Sequence, residues 1–244
     1  MTAASLTSDE AKLDIGWVVM ATLRVLRRRA GDLALVALPF LWLPSLITGF
    51  APDNRGLELL SNLPGLVFTG GASLITYQEL AGGLPVTAGQ AIGEGVRKFG
   101  TLWLVAFVAG VATVVGLILL VVPGVIAGVG FCAASTVVMV EGKSAMPALE
   151  RAWALSRGQR WRLTGLAGIL LVASLGVLLI GFATGAILGL TGNESAVDAV
   201  ANFGVGPLTG TLVVVVTTVG ASAAYVGLKT AKEGPAEDIA RTFD

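Results

Sequence analysis

The longest uncharged segment of the chain runs from Leu102 to Val140 and constrains the fold more than any other feature. As a single helix rising 1.5 Å per residue it would be about 58 Å long, nearly twice the ~30 Å hydrocarbon core of a membrane. The segment must therefore fold back on itself. Pro123 and Gly124 form the predicted hairpin turn, because proline interrupts the helical hydrogen bonds and glycine accommodates a tight reversal. This pattern predicts a helical hairpin that crosses the membrane twice.

The composition extends this conclusion to the whole chain. Hydrophobic residues make up 55% of the 244 residues and charged residues 13%, against about 45–50% and about 25% in soluble domains. These values indicate a polytopic membrane protein and exclude a disordered chain, a disulfide scaffold or an ordinary soluble enzyme. The chain has no His, which excludes His-based catalytic triads and His-ligated metal sites. We predict no catalytic, metal, cofactor or nucleic-acid site, because no motif for one stands out.

Six apolar segments are long enough to cross a membrane as helices, and we predict an all-α fold with six transmembrane helices. The predicted spans are Leu33–Phe50, Leu59–Leu80, two within Leu102–Val140, Leu163–Leu190 and Pro207–Leu228. The second span is the least apolar, since it contains Asn62, Pro64 and Gln78. The first span is expected to act as an uncleaved insertion signal, because no basic region, short apolar stretch and cleavage site precede it.

The distribution of charge along the chain predicts the orientation of these spans. Of the 16 Lys and Arg residues, Arg55 alone falls in a loop on the far side of the six-span layout. The others precede the first span, follow the last, or lie between spans two and three and spans four and five. Cytoplasmic loops are enriched in Lys and Arg, so we predict that both termini are cytoplasmic. A five-span layout without the second segment would scatter the basic residues over both faces.

An amphipathic segment precedes each predicted hairpin, and the three segments share one pattern. They cover Ser8–Ala30, Thr87–Phe99 and Ser144–Arg157, each with an apolar stripe and basic residues near its end. The predicted stripes are Ile15, Val19, Leu23 and Leu26; Ile92, Gly95, Val96 and Phe99; and Met146, Leu149, Ala152 and Trp153. Thr87 and Gln90 form a predicted capping box. We interpret residues 1–229 as one membrane domain of three pseudo-repeats, about 8–80, 87–140 and 144–228, followed by a cytoplasmic tail, 230–244.

Basic residues around the ends of these amphipathic segments are candidate contacts for lipid headgroups. A helix with apolar residues on one face and Arg on the other lies in the membrane interface, and anionic lipid at the cytoplasmic surface attracts basic clusters. Simple topology anchoring is the alternative role, and the sequence leaves both roles open. The candidates are Arg27, Arg28, Arg29, Arg97, Lys98, Arg157 and Arg160.

Two sets of polar residues near or within the spans are further candidates. Glu141, at the cytoplasmic end of the fourth span, is predicted to form a polar cluster with Arg151 and Arg162, and Lys143 is another possible partner of its carboxylate. The second set is a candidate cavity lining in spans two and six. It comprises Asn62, Thr69, Thr76, Tyr77 and Asn202. Ordinary hydrogen bonds between helices are the alternative role for this second set.

The stretch from Leu119 to Leu163 resembles a known family. It has Pro-Gly opening a span, Glu at the end of that span, an Ala-Leu-x-Arg-x-Trp-x-Leu helix, Arg-Gly, and Trp-Arg opening the next span. The residues are Pro123, Gly124, Glu141, Ala148, Leu149, Arg151, Trp153, Leu155, Arg157, Gly158, Trp161 and Arg162. The pattern resembles uncharacterised bacterial inner-membrane proteins of the YciC type. It also resembles the membrane domain ahead of some bacterial glycerophosphodiester phosphodiesterases.

This resemblance implies a bacterial inner-membrane protein with cytoplasmic termini. It implies no phosphodiesterase activity, because the sequence has no counterpart of that catalytic domain. Ala152 departs from the Ser of many relatives, which removes one potential hydrogen bond.

The sequence as a whole favours a non-enzymatic integral membrane protein. The expected role is a lipid-interacting scaffold or a membrane subunit for partner proteins, with anionic lipid at the cytoplasmic face as a partner. The alternative is a small transporter or lipid carrier with a polar cavity between the repeats. An intramembrane enzyme is a third class, for which the sequence offers no support.

Overall fold

The computed structural model describes residues 13–49, 56, 60–82, 86–190 and 201–233. All regular structure within these ranges is helical. The helices are α1 (Ile15–Arg28), α2 (Ala30–Ala37), α3 (Leu43–Gly49), α4 (Pro64–Ala81), α5 (Ala88–Arg97), α6 (Phe99–Leu119), α7 (Val121–Phe131), α8 (Ala134–Glu141), α9 (Ala145–Ser156), α10 (Arg160–Gly189) and α11 (Gly206–Glu233). Two π-helical segments, Leu38–Trp42 and Ala201–Val205, join α2 to α3 and precede α11.

Several helices are long and apolar enough to cross a membrane, which confirms the prediction of a helical chain suited to multiple passes. Among the described residues these segments are Ala30–Ile47, Phe99–Leu119, Val122–Glu141, Arg160–Ile187 and Phe203–Glu233. The segment α4, which carries the second predicted span, is not one of them. Its C-terminal half includes Tyr77, Gln78 and Glu79 in sequence, and these polar residues lower its mean hydropathy. The number of spans predicted from the sequence therefore stays a prediction.

The uncharged segment folds back as predicted, but the reversal lies at Leu120 instead of at Pro123 and Gly124. Leu120 is extended, with φ −164° and ψ 144°, and separates α6 from α7. Pro123 falls in the first turn of α7, where its missing N–H removes no helical hydrogen bond. Gly124 is needed for the close approach, because a Cβ there would lie 2.5 Å from the backbone nitrogen of Leu117. The Pro-Gly pair therefore opens the return helix and does not form the turn.

Three helices form the centre of the bundle, and we call α4, α8 and α11 the inner helices. Phe68 of α4, Val137 of α8 and Tyr225 of α11 are all fully buried. In an 18-residue apolar stretch of each of the segments Val122–Glu141 and Phe203–Glu233, 56% and 50% of the residues are buried. By contrast, 11% of the residues are buried in the corresponding stretches of Phe99–Leu119 and Arg160–Ile187. We call α6 and α10 the outer helices, because they present large apolar side chains to the surroundings.

The amphipathic helices α1, α5 and α9 each bury a face that includes small residues, and each exposes at least one large apolar side chain. The buried faces include Val18, Ala21 and Val25 of α1, Ala88, Ala91 and Gly95 of α5, and Ala148, Leu149 and Ala152 of α9. Leu23, Val96 and Met146 of the predicted stripes are exposed. Apolar side chains exposed on the protein surface are compatible with the predicted position of these helices in the membrane interface, and that position stays a prediction.

Side-chain caps define the starts of α1 and α5. Asp14 caps α1 by accepting a hydrogen bond from the backbone N–H of Trp17 at 3.2 Å. The predicted earlier start of this helix at Ser8 lies outside the described residues. The predicted capping box of Thr87 and Gln90 at the start of α5 is confirmed.

Each amphipathic helix packs closely on a helix of the bundle that is not its neighbour on the C-terminal side, and glycine permits the approach. A Cβ on Gly95 of α5 would lie 2.8 Å from the carbonyl oxygen of Val67 in α4. A Cβ on Gly130, at the end of α7, would lie 2.5 Å from the Trp153 ring of α9. A Cβ on Gly227 of α11 would lie 2.7 Å from Leu13, immediately before α1. The contact of α1 with α11 joins the two ends of the described chain.

Candidate functional site

The charged side chains described below gather at one end of the bundle, which we call the charged end. Arg28 of α1 lies 3.6 Å from Glu79 near the end of α4. The ammonium group of Lys98 donates to the carbonyl oxygens of Val138 and Met139, at 3.0 and 3.2 Å, in the last turn of α8. Because helix ends leave carbonyl oxygens without helical partners, such donors stabilise them. The contacts bring the ends of α4 and α8 to the same side as the starts of α2 and α6.

The third hairpin ends in the same way. The ammonium group of Lys232 donates to the carbonyl oxygens of Ala154 and Arg157, at 2.6 and 3.0 Å. These carbonyls belong to the last turn of α9 and the residue after it. The helix α11 continues to Glu233, beyond the predicted end of its span at Leu228. The first residues of the predicted cytoplasmic tail therefore belong to α11 and take part in the charged end.

Glu141 is the centre of the predicted polar cluster, and one of its contacts, with Tyr225, was not predicted. Its carboxylate lies 2.9 Å from the Lys143 ammonium group and 3.3 Å from Nε of Arg151. Tyr225 donates its hydroxyl hydrogen to the same carboxylate at 2.8 Å. Arg151 also donates to Glu233 through its terminal nitrogen. Two carboxylates and two cations therefore neutralise one another where α8, α9 and α11 meet.

The electrostatics at Arg151 reflect this position. Burial lowers the pKa of the Arg151 guanidinium group, but its hydrogen bond to Glu233 and the charge of Glu141 outweigh burial and raise that pKa above its ordinary value. The guanidinium group is thus held between two carboxylates in a partly buried site. Removing it would leave two negative charges close together without their shared partner.

Arg162 lies apart from this cluster, so its predicted place beside Glu141 was wrong. Its guanidinium group donates to the carbonyl oxygen of Leu13 at 2.8 Å. The backbone N–H of Leu13 in turn donates to the side-chain oxygen of Gln159 at 3.2 Å. The first turn of α10 therefore contacts the residues directly before α1, and Arg162 holds Leu13 against α10.

Sequence reasoning missed Tyr225 and Glu233, which bring α11 to the cluster. They lie 84 residues from Glu141 and 82 residues from Arg151, respectively. One signal was available, because Glu79, Glu141 and Glu233 each lie near the end of an inner helix. The ring of Tyr225 also lies 6.1 Å from the ring of Tyr77, and the Lys229 ammonium group lies 5.6 Å from the Tyr77 ring. Aromatic and ionic contacts thus join the inner helices at the charged end.

Below this layer, three buried hydroxyl groups join the inner helices. Ser222 Oγ lies 3.2 Å from Thr136 Oγ1 and 3.1 Å from Ser73 Oγ. It also lies 2.9 Å from the carbonyl oxygen of Thr218, one turn earlier in α11. Ser73, Thr136 and Ser222 are all buried. We call these three residues the hydroxyl cluster, and it places polar contacts where the inner helices meet.

The candidate cavity residues make the following described contacts. Thr69 and Thr76 donate their hydroxyl hydrogens to carbonyls of their own helix, Gly65 and Ala72, and Thr76 is fully buried. Tyr77 packs against Tyr225. Asn62 lies before α4, and Asn202 belongs to the π-helical segment Ala201–Val205. The two threonines thus satisfy their hydroxyl groups within their own helix, and the cavity role of this set stays a prediction.

The seven candidate lipid contacts divide into two groups. Arg29 and Lys98 are partly buried and bonded within the protein. Arg29 pairs with Asp32 at 2.9 Å and donates to the carbonyl oxygen of Val86 at 2.6 Å, and Lys98 donates to the end of α8. Arg160 stacks on the Trp153 ring at 3.9 Å. The exposed members are Arg27, Arg28, Arg97 and Arg157. Arg24, which sequence reasoning did not select, is exposed beside Arg27 and Arg28.

The chemistry of the charged end is that of mutual neutralisation and helix capping. Among the described residues, no group of three or more His, Cys, Asp or Glu side chains is placed to hold a metal ion. The fold and these contacts define an all-helical chain with several membrane-compatible helices and an ionic layer at one end. No family model, curated protein or solved structure matches the chain.

Proposed function

We propose that this chain is a non-enzymatic integral protein of the bacterial inner membrane. It crosses the membrane six times, as three pseudo-repeats of an amphipathic helix and a hairpin, with both termini in the cytoplasm. It acts as a lipid-interacting scaffold or as the membrane subunit of partner proteins. The observation that carries this proposal is the arrangement of α1, α5 and α9 around the charged end.

The contacts of these amphipathic helices support a repeating architecture. The helix α5 packs on α4, α9 packs on α7 and α8, and α1 packs on α11. Each amphipathic helix therefore rests on the return helix of the preceding hairpin, and α1 closes the ring. Inner helices α4, α8 and α11 are the return helices of the three hairpins in this proposal. A cyclic arrangement of this kind gives one chain a pseudo-threefold design.

The surfaces of the amphipathic helices support a position in the membrane interface. Their small residues face the bundle, and Leu23, Val96 and Met146 remain exposed. Exposed Arg side chains lie on the same helices, as in Arg27 of α1 and Arg97 of α5. A helix that offers both large apolar side chains and cations to its surroundings is suited to the boundary between acyl chains and headgroups.

The helix α4 supports a sixth span despite its low hydropathy. Phe68, Ser73 and Thr76 of this helix are fully buried, so protein surrounds it where the others meet lipid. A helix satisfies its own backbone hydrogen bonds and needs no apolar surface where protein covers it. We also propose a relationship to proteins of the YciC type, on the sequence pattern from Pro123 to Arg162.

Cysteine labelling tests the six-span proposal. In a Cys132→Ala background, single cysteines replace the exposed residues Gly56, Gly89, Leu120 and Ser144, and a membrane-impermeant maleimide is added to spheroplasts. We expect labelling at Gly56→Cys and Leu120→Cys in intact spheroplasts, and at Gly89→Cys and Ser144→Cys only after lysis. Labelling of Gly56→Cys and Gly89→Cys from the same side would overturn the proposal, because α4 would then not cross.

Mass spectrometry of the protein in native-lipid nanodiscs tests its role. Anionic lipid enriched over the surrounding membrane supports the lipid-interacting scaffold, and a protein present in stoichiometric amount supports the membrane subunit. A retained small molecule without either would contradict both and favour the transporter or lipid carrier.

A further inference from the structure

The outer side of α1 forms an open groove at the charged end. The groove has a volume of about 630 Å³ and is lined by Met20, Leu23, Arg24, Arg27 and Arg28. Met20 and Leu23 are among the exposed large apolar residues of the protein. An apolar floor beside three guanidinium groups is amphipathic in the same sense as a phospholipid. We call this feature the α1 groove.

The charges of the α1 groove converge on one side of the helix. Arg24, Arg27 and Arg28 are separated by three and four positions, a spacing that places their side chains as neighbours. Arg28 lies 3.6 Å from Glu79 but remains largely exposed. Within the described part of the chain, Arg24 and Arg27 form no ion pair. Among the described residues, these three cations thus share at most one carboxylate, so cations outnumber carboxylates beside the apolar side chains of this face.

We propose that the α1 groove binds an anionic phospholipid. The phosphate is held by Arg24 and Arg27 with help from Arg28, and the first part of an acyl chain lies along Met20 and Leu23. Guanidinium groups bind phosphate oxygens in pairs of parallel hydrogen bonds, which gives geometry as well as charge. This inference rests on the proposed interfacial position of α1 and adds a specific site and a lipid class.

The same contacts predict selectivity between lipids. The ammonium group of a zwitterionic headgroup would be repelled by the excess of positive charge, whereas a headgroup with net negative charge would not. Leu35 of α2 and Leu38 of the π-helical segment that follows it are also exposed, so apolar surface continues along the chain from α1 into the first membrane-compatible segment. We therefore expect phosphatidylglycerol to be bound in preference to phosphatidylcholine.

The test compares two double variants that lose the same charge. Arg24→Gln/Arg27→Gln removes two cations of the groove, and Arg97→Gln/Arg157→Gln removes two exposed cations elsewhere at the charged end. Binding of phosphatidylglycerol and phosphatidylcholine to the full chain in detergent micelles is measured by native mass spectrometry. We expect roughly tenfold weaker phosphatidylglycerol binding in the groove variant and at most about twofold in the control.

Further arms separate the possible failures. Equal weakening in both double variants would overturn the groove as a site while leaving a general affinity for anionic lipid. Equal binding of both lipids to the unmodified chain would overturn the selectivity of the groove and also the lipid preference of the proposed function. If soluble glycerol phosphate competes as well as the lipid, and Leu23→Ser has no effect, the site binds a small anion and the lipid proposal is overturned. Leu23→Ser keeps all three charges, so it tests the acyl contact even if the double variant fails to fold.

Discussion

The inner and outer helices differ in which side chains they bury and which they expose. The inner helices bury hydroxyl groups such as those of Ser73, Thr136 and Ser222. The outer helices expose large aliphatic side chains such as Ile118 of α6 and Leu179 of α10. In a bilayer the lipid is as apolar as leucine, so apolar side chains gain little from leaving it. Close packing and hydrogen bonds therefore decide which helices lie at the centre, and hydropathy reports contact with lipid.

The helix α4 shows why this distinction matters for reading a sequence. It is the least apolar of the segments selected as spans, and yet its Phe68, Ala72 and Ser73 have no exposed surface. Its mean hydropathy is the lowest of the six predicted spans, whereas its buried side chains group it with the other inner helices. Substitutions matched between inner and outer helices sharpen or break this comparison.

The largest effect is expected from Arg151→Met at the charged end. Breaking a buried ion pair typically costs about 3–5 kcal/mol of unfolding free energy. Because Arg151 is partly exposed, we expect a loss of about 3 kcal/mol. Two carboxylates, Glu141 and Glu233, would lose their shared cation. Arg97→Met is the matched control, because Arg97 pairs with Glu94 in an exposed position, and such pairs contribute about 0–1 kcal/mol. The measurement is unfolding in mixed micelles, and equal losses in both variants would contradict a special role for the inner cluster.

The next largest effect is expected where an amphipathic helix meets an inner helix. Gly95→Ala places a Cβ 2.8 Å from the carbonyl oxygen of Val67, a backbone atom that cannot rotate away. Overpacking of this kind costs about 2 kcal/mol. Gly110→Ala in the outer helix α6 is the control, because a Cβ at that position would have no neighbouring atom within 4 Å. We expect a neutral or slightly stabilising effect there, since Ala favours helix by up to about 1 kcal/mol over Gly. Thermal unfolding followed by Trp fluorescence separates the two outcomes.

Local features of the fold could be predicted from the sequence, whereas contacts between distant segments could not. The capping box at Thr87 and the pairing of Glu141 with Arg151 depend on residues close in the chain, and both were predicted. The places of Arg162 and Tyr225 depend on how α10 and α11 sit against other helices. The faces of α1, α5 and α9 that pack on the bundle were not predicted, because helix periodicity does not say which residues meet a neighbouring helix. That choice is made by the distance between helices, which glycine positions such as Gly95 set.

A smaller effect is expected in the hydroxyl cluster. Ser222→Ala removes the group that contacts Ser73 and Thr136, and hydrogen bonds between membrane helices contribute about 0.6 kcal/mol on average. Ser174→Ala in the outer helix α10 is the same chemical change at a buried site, but the Ser174 hydroxyl donates to its own helix at Leu170. We expect a loss of about 0.6–1 kcal/mol for the first variant and near zero for the second. A larger loss at Ser174 would reverse the assigned importance of the two regions.

The smallest effect is expected on the outward surface of α6, where Val115→Ala should change the unfolding free energy by less than about 0.5 kcal/mol. Val115 is 49% exposed, whereas Val137 in the inner helix α8 is 0% exposed. Truncation at Val115 exchanges a contact with lipid or detergent for another of the same kind, so no cavity forms. Val137→Ala is the positive control, because it leaves a space inside the bundle. A loss at Val115 as large as that at Val137 would break the comparison, since it would mean that protein covers this surface. Cross-linking of a cysteine at Ile118 between two copies would then decide whether a second copy of the chain is what covers it.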